Sequence, residues 1–169
     1  MKRIFFIMTM VAAFILNGCV KNENVIWEGS QIEFDAAIWN SNGAGLTYPI
    51  LARVPAQGRA TPTSQPALTR NSGTVELRVN LVGAQRSTPT NFTYQVVGAE
   101  STAVAGIHYA APSGTGTIPA NSSFGIITIN ILNPGASTGS KVLVIELTDS
   151  PDAKVSVNYS KVGLSISQT

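Results

Sequence analysis

The residues that could do covalent or metal chemistry are few, and their spacing suits it poorly. His108 is the one histidine in the chain. Zinc sites built on two or three histidines, and the His-Glu-x-x-His helix motif, are therefore excluded. A serine triad would have to be built on His108. Gly135-Ala136-Ser137-Thr138-Gly139 matches the Gly-x-Ser-x-Gly pattern of a nucleophile elbow. That elbow needs a strand before the serine and a helix after it. Here a period-two segment follows from Lys141, and His108 lies upstream of Ser137. The five residues read as a small-residue hairpin loop, and His108 as a turn residue before a structural tyrosine. Gly114-Thr115-Gly116-Thr117 is followed by neither the Gly-Lys-Ser/Thr nor the helix of a phosphate loop. The nine Asp and Glu residues are scattered. Glu33, Glu76 and Glu146 stand opposite in parity to their apolar neighbours, which suits solubility better than the facing pair of a glycoside hydrolase. The expectation is a non-enzymatic protein without catalytic residues, metal site or cofactor; hydrolysis is the enzymatic alternative.

The aromatic residues are the remaining candidates for binding. Trp39 ends the first alternating segment. It can either stack on the apolar face of a sugar or plug one end of the fold. Tyr109 can serve a ligand, or pack its ring inward and bond its hydroxyl to a loop backbone. Trp39 and Tyr109 are thus the candidate ligand-binding residues, while Phe34, Phe92, Tyr94 and Phe124 read as core or rim.

Strands must position these side chains. Ile32, Phe34, Ala36 and Ile38 are separated by single residues. So are Val75, Leu77, Val79 and Leu81; Phe92, Tyr94 and Val96; Ile127, Ile129 and Ile131; and Leu143, Ile145 and Leu147. Period two means one buried and one wetter strand face. Thr47–Val54 and Gly116–Pro119 read as further strands. Val155, Val157 and Tyr159 share one parity and Val162, Leu164 and Ile166 the other, so a bulge or turn is expected near Ser160 and Lys161. Helical periodicity is absent after residue 19. Pro55–Ser72 is the one long irregular stretch, either connective or ligand-binding. The fold class is all-β: an antiparallel immunoglobulin-like sandwich of seven or eight strands with Greek-key connections, with a closed barrel as the alternative.

Cys19 is the only cysteine. It follows Leu16-Asn17-Gly18, at the end of an apolar run that begins behind Lys2 and Arg3. The run has the length of a signal-peptide core and is too short to span a bilayer. A small residue before a cysteine at this place resembles the lipobox of bacterial lipoproteins. The resemblance implies cleavage before Cys19, with the sulfur and the new amino end acylated, so that the chains hold the protein on a membrane. Residues 1–18 are then the signal peptide, 19–29 the lipidated cysteine and a tether, and 30–169 one β-sandwich domain. Of 169 residues, 151 would remain. The net charge of +2 falls to zero once Lys2 and Arg3 leave. No basic run is interleaved with aromatics, so nucleic acid is not an expected partner.

A second resemblance is carried by Ser101-Thr102-Ala103-Val104-Ala105-Gly106-Ile107-His108-Tyr109. Gly116-Thr117-Ile118-Pro119-Ala120-Asn121, a strand over 125–132 and Leu143-Val144-Ile145-Glu146-Leu147 follow it. Residues 73–167 resemble the Calx-beta type of immunoglobulin-like domain, and more closely lipoproteins of Gram-negative bacteria that carry a related sandwich. Calcium-binding members of that family cluster Asp and Glu in loops at one end, because Ca²⁺ takes six to eight oxygen ligands. Here His108 stands where Asp is common, Asn133-Pro134 where paired acids would sit, and Asp149 and Asp152 are a thin remainder. The fold is expected to be kept and the calcium site lost. The two resemblances imply an outer-membrane lipoprotein, partnered with the membrane through its anchor and with a glycan or another envelope protein. Its role would be binding or display, as an accessory of polysaccharide uptake. The alternative is a structural subunit that adds strands from its neighbours.

Overall fold

Alternating sequence builds the long strands. In β3 (Thr74–Val82) the residues Val75, Leu77, Val79 and Leu81 are buried and their neighbours face outward. β4 (Thr90–Val96) buries Phe92 and Tyr94. β6 (Phe124–Asn130) buries Ile127 and Ile129. β7 (Ser140–Thr148) buries Leu143, Ile145 and Leu147, with Val144 as well, and β9 (Lys161–Ser167) buries Val162, Leu164 and Ile166. Four short strands complete the set: β1 (Gln31–Phe34), β2 (Ile50–Leu51), β5 (Thr115–Ile118) and β8 (Lys154–Val155). This computed structural model describes residues 29–169. The expected signal segment, Cys19, Trp27 and all of the tether but Gly29 lie outside the described residues. None of the described helices is long and apolar enough to cross a membrane, which says nothing of β-barrels.

Two sheets face each other across one apolar cluster that includes Ile32, Phe34, Leu77, Phe92, Ile145 and Leu164. One has the order β6-β3-β1-β8 and the other β2-β9-β7-β4-β5. The expected sandwich is present, and the barrel alternative is not. Among the described residues the strands number nine rather than the expected seven or eight; two of them, β2 and β8, are only two residues long. Two pairings, β1 with β8 and β2 with β9, are parallel rather than antiparallel. The cause is the crossing of the first stretch from one sheet to the other.

The expected strand over Ile32, Phe34, Ala36 and Ile38 stops at Phe34. A single helical turn, α1 (Asp35–Trp39), takes its place and starts the crossing. Ala36 and Ala37 favour helix and are poor strand formers. The turn is fixed by two bonds at helical spacing: Trp39 Nε1 donates to Asp35 Oδ1 (3.3 Å) and Asn40 Nδ2 to the Ala36 carbonyl (2.8 Å). The second satisfies a carbonyl that the helix end would leave bare.

Thr47–Val54 contributes only β2 and a bridge from Arg53 to Ala67. The expected phase slip is a turn between β8 and β9, where Val157 is 91% exposed and the Tyr159 carbonyl accepts the Phe34 N–H at 2.8 Å. At the corner between the sheets, β5 crosses over β6. A Cβ on Gly125 would lie 2.5 Å from the Thr117 carbonyl oxygen, so only glycine fits there.

Candidate functional site

The outer face of the four-stranded sheet carries a connected row of polar and aromatic side chains. Glu33 of β1, Asn80 of β3 and Phe124 of β6 stand in register across three neighbouring strands. Their parity, opposite to the core residues, turns them outward. Asn80 accepts a hydrogen bond from Arg78 Nε (2.9 Å), and the Arg78 guanidinium lies 4.1 Å from the centre of the Phe124 ring, a cation–π distance. Phe124 is 39% exposed.

Asp35 links this row to Trp39. Its carboxylate is sealed, with 2% of the residue exposed. Oδ2 accepts the Gly58 N–H (2.7 Å), and Oδ1 accepts from Asn80 Nδ2 (3.1 Å) and from the Trp39 indole (3.3 Å). Three donors compensate a buried charge that would otherwise be costly. Gly58 presents its N–H from a left-handed backbone (φ +69°), which glycine adopts without strain. Burial, and then the charge of Asp35, raise the Glu33 carboxyl above the usual range.

Trp39 is 48% exposed. It ends the helical turn α1 on the crossing between the sheets. Its ring is nevertheless held by the bond to Asp35. The long Pro55–Ser72 stretch is tied to the fold on both sides. Thr61 N–H donates to Asn40 Oδ1 (3.1 Å), Arg53 Nη1 to the Gln65 carbonyl (2.6 Å), and Leu68 N–H to the Ala52 carbonyl (2.9 Å). Between it, β2 and Asn40 lies an open cavity of about 260 Å³ lined by Ser41, Arg53 and Thr61 among others.

Tyr109 is not part of this face. It is 5% exposed, with its ring in the core and its backbone bridging Ile131. Among the described residues its hydroxyl has no hydrogen-bond partner. The segment around it is a staple for the sandwich. Ser101 Oγ and Thr102 Oγ1 accept the N–H groups of Val144 (3.0 Å) and Val142 (2.8 Å), replacing backbone carbonyls where the chain bulges away from β7. His108 Nδ1 accepts the Val104 N–H (3.0 Å), so that nitrogen is engaged as a turn cap. Ser137 lies in the loop before β7, with no helix after it. Its N–H donates to the Gln168 carbonyl (2.9 Å).

In a third polar cluster one lysine serves two carboxylates. Lys161 Nζ lies 2.9 Å from Glu100 and 3.6 Å from Glu146. Burial, with help from a hydrogen bond to Glu100, pushes the Tyr48 phenol up to about 12.

Asp149 and Asp152 are already engaged. Asp149 accepts from Val155 N–H (2.9 Å) and Lys154 Nζ (3.0 Å), and Asp152 from Asn91 N–H (3.0 Å). The bond to Val155, then that to Lys154, holds the Asp149 carboxyl below its usual range. Among the described residues, no three His, Cys, Asp or Glu side chains come together as metal ligands. The donors present do not fit calcium.

No family model matches the chain, and no curated protein matches it in sequence. Solved structures do. The apo form of the Calx CBD1 domain superposes with a TM-score of 0.55 at 16% identity, over 82% of this chain and 98% of that one. The Calx CBD2 domain gives 0.49 at 16% identity, over 60% and 81%. The calcium binding domain CBD12 of CALX1.1 gives 0.48 at 21% identity, over 59% of this chain and 40% of that one. The first of these superpositions shows a Calx-beta-like sandwich fold.

The sequence points to Trp39 but not to the residues that organise it. Asp35, Gly58, Arg78 and Asn80 are the missed members. The available signals were an acid interrupting Phe34 and Ala36, and the wet parity of Arg78 and Asn80.

Proposed function

We propose that this chain is a lipid-anchored β-sandwich of a bacterial cell envelope, acylated at Cys19, that binds a glycan on the face around Trp39. The observation that supports binding is a large aromatic ring that is half exposed and yet fixed by a sealed carboxylate. A ring already ordered loses little rotamer freedom when a ligand stacks on it. Phe124 offers a second exposed apolar ring, on the outer face of the four-stranded sheet that Asn80 joins to Asp35. Asn80, Arg78 and Glu33 supply donors and acceptors for hydroxyl groups. Asp35 is closed off from any substrate and orients Trp39, so the face suits binding rather than hydrolysis. The tether from Val20 to Gly29 reaches about 33 to 36 Å when extended, enough to lift the domain from a membrane surface.

Two measurements test this reading. Trp39→Ala should weaken binding to the polysaccharide that the wild-type retains best, from a panel in affinity electrophoresis, by about ten- to a hundredfold, as a central aromatic contact does. Equal retention of the variant and the wild-type would remove Trp39 from the site. Cys19→Ala should shift the protein from the membrane to the soluble fraction or leave it unprocessed. Mass spectrometry of an unmodified mature chain that starts elsewhere would refute the anchor.

A further inference from the structure

The end of the sandwich that holds the loop after β6 and the last residues is drawn together by one guanidinium. Arg70 Nε donates to the Gln168 carbonyl (3.2 Å) and Nη1 to Asn133 Oδ1 (3.0 Å), while its own N–H donates to the Ser167 carbonyl (2.8 Å). Asn133 Nδ2 reaches Asn71 Oδ1 (2.7 Å), and its Oδ1 also accepts the Gly135 N–H (2.9 Å). The Gln168 carbonyl accepts the Ser137 N–H as well (2.9 Å). Three chain segments, far apart in sequence, therefore meet on one positive charge.

We infer that Arg70 is a built-in cation that closes this end of the sandwich and makes it independent of calcium. The oxygens that surround it are amides and carbonyls. Asn133 Oδ1 and the Gln168 carbonyl each accept two hydrogen bonds already. Ca²⁺ takes six to eight oxygens, several of them carboxylates in tight sites, and no Asp or Glu side chain lies in the described segments 67–73, 131–139 and 166–169 that meet here. Among the described residues, Gln168 Oε1 is a buried side-chain oxygen without a partner, while Nε2 of the same side chain donates to the Ile166 carbonyl. A metal entering here would meet the positive charge of Arg70. The planar fork of arginine can hold two acceptors on different segments at once, which a lysine ammonium does with less geometric control.

The test uses purified protein and calcium itself as the probe. In wild-type protein, 5 mM CaCl₂ or excess EGTA should leave the melting temperature unchanged within about 1 °C, because a ligand stabilises only what it binds. Arg70→Gln should speed hydrogen exchange at the Gly135 and Ser137 amides by about tenfold or more, with core amides of β3 and β7 far less affected. Added calcium should not restore that protection. Should Arg70→Gln fail to fold, Asn133→Ala removes one acceptor while keeping the cation, and should raise exchange at Gly135 most. A calcium-dependent rise of several degrees in the wild-type, or unchanged exchange at both amides in the variant that folds, would overturn the inference.

Discussion

Ile145→Ala is expected to lower stability by about 2–5 kcal/mol, the cost of lost apolar transfer plus the cavity left behind. Ile145 is fully buried, in the middle of β7, between Val96 of β4 and Val162 of β9. Neighbours on both sides belong to central strands, so the site has little freedom to collapse. Glu76→Ala is the control. Glu76 lies on β3 with its side chain in solvent, and its loss should change stability by no more than about 0.5 kcal/mol. Urea midpoints for the two variants decide the matter. Equal effects, or a larger one for Glu76→Ala, would mean that the faces of these strands are reversed.

That contrast marks how far the sequence alone could be read. β3, β6, β7 and β9 declare themselves because branched apolar residues recur at every second position, and a slip of one residue would bury charged side chains in β3, β7 and β9 and Thr128 and Asn130 in β6. The break between β8 and β9 is legible for the same reason, as a change of parity. The end of β1 is not. Ala36 and Ile38 keep the strand's parity, but alanine tolerates either conformation, and the helical turn is chosen by bonds from Trp39 to Asp35 and from Asn40 to Ala36. β2 and β8 are too short to carry a period. Their parallel pairing follows from where the chain crosses between sheets, which no local pattern states.

The candidate face divides in the same way. Trp39 could be singled out as an aromatic with two possible uses. What holds its ring is Asp35, and Asp35 is bonded in turn to Gly58 and Asn80, 23 and 45 residues away along the chain. Such long-range pairing of polar atoms depends on the register of β1 against β3 and on the path of the Pro55–Ser72 loop. Composition and spacing contain neither. The His108-Tyr109 segment is the converse case. Its resemblance was readable from sequence, and the bonds show it to be structural: hydroxyls and an imidazole nitrogen stand in for missing backbone acceptors.

Asp35→Ala is therefore the second substitution with a large expected effect, and it tests stability and site together. Removing the carboxylate takes away the acceptor from three donors at once. A hydrogen bond to a charged group contributes about 1.5–3 kcal/mol, and a buried donor left bare costs about 1–3 kcal/mol. The three losses are not additive, because water can reach Gly58 and the exposed side of Trp39. The expected net cost is about 2–4 kcal/mol by urea midpoint, comparable with a core truncation although no apolar group is removed. Asp35→Asn keeps the volume but offers one acceptor oxygen and turns an amide toward the donors, so it should recover only part of the loss. A double-mutant cycle separates the roles. If Asp35 orients Trp39, then Asp35→Ala and Trp39→Ala should be coupled by at least about 0.5 kcal/mol, as residues sharing a hydrogen bond are. In the glycan assay Asp35→Ala should lose affinity in the wild-type background and little more in the Trp39→Ala background. Full additivity in both measurements would mean that the carboxylate only fastens the Pro55–Ser72 loop, and that Trp39 stands where it does without it.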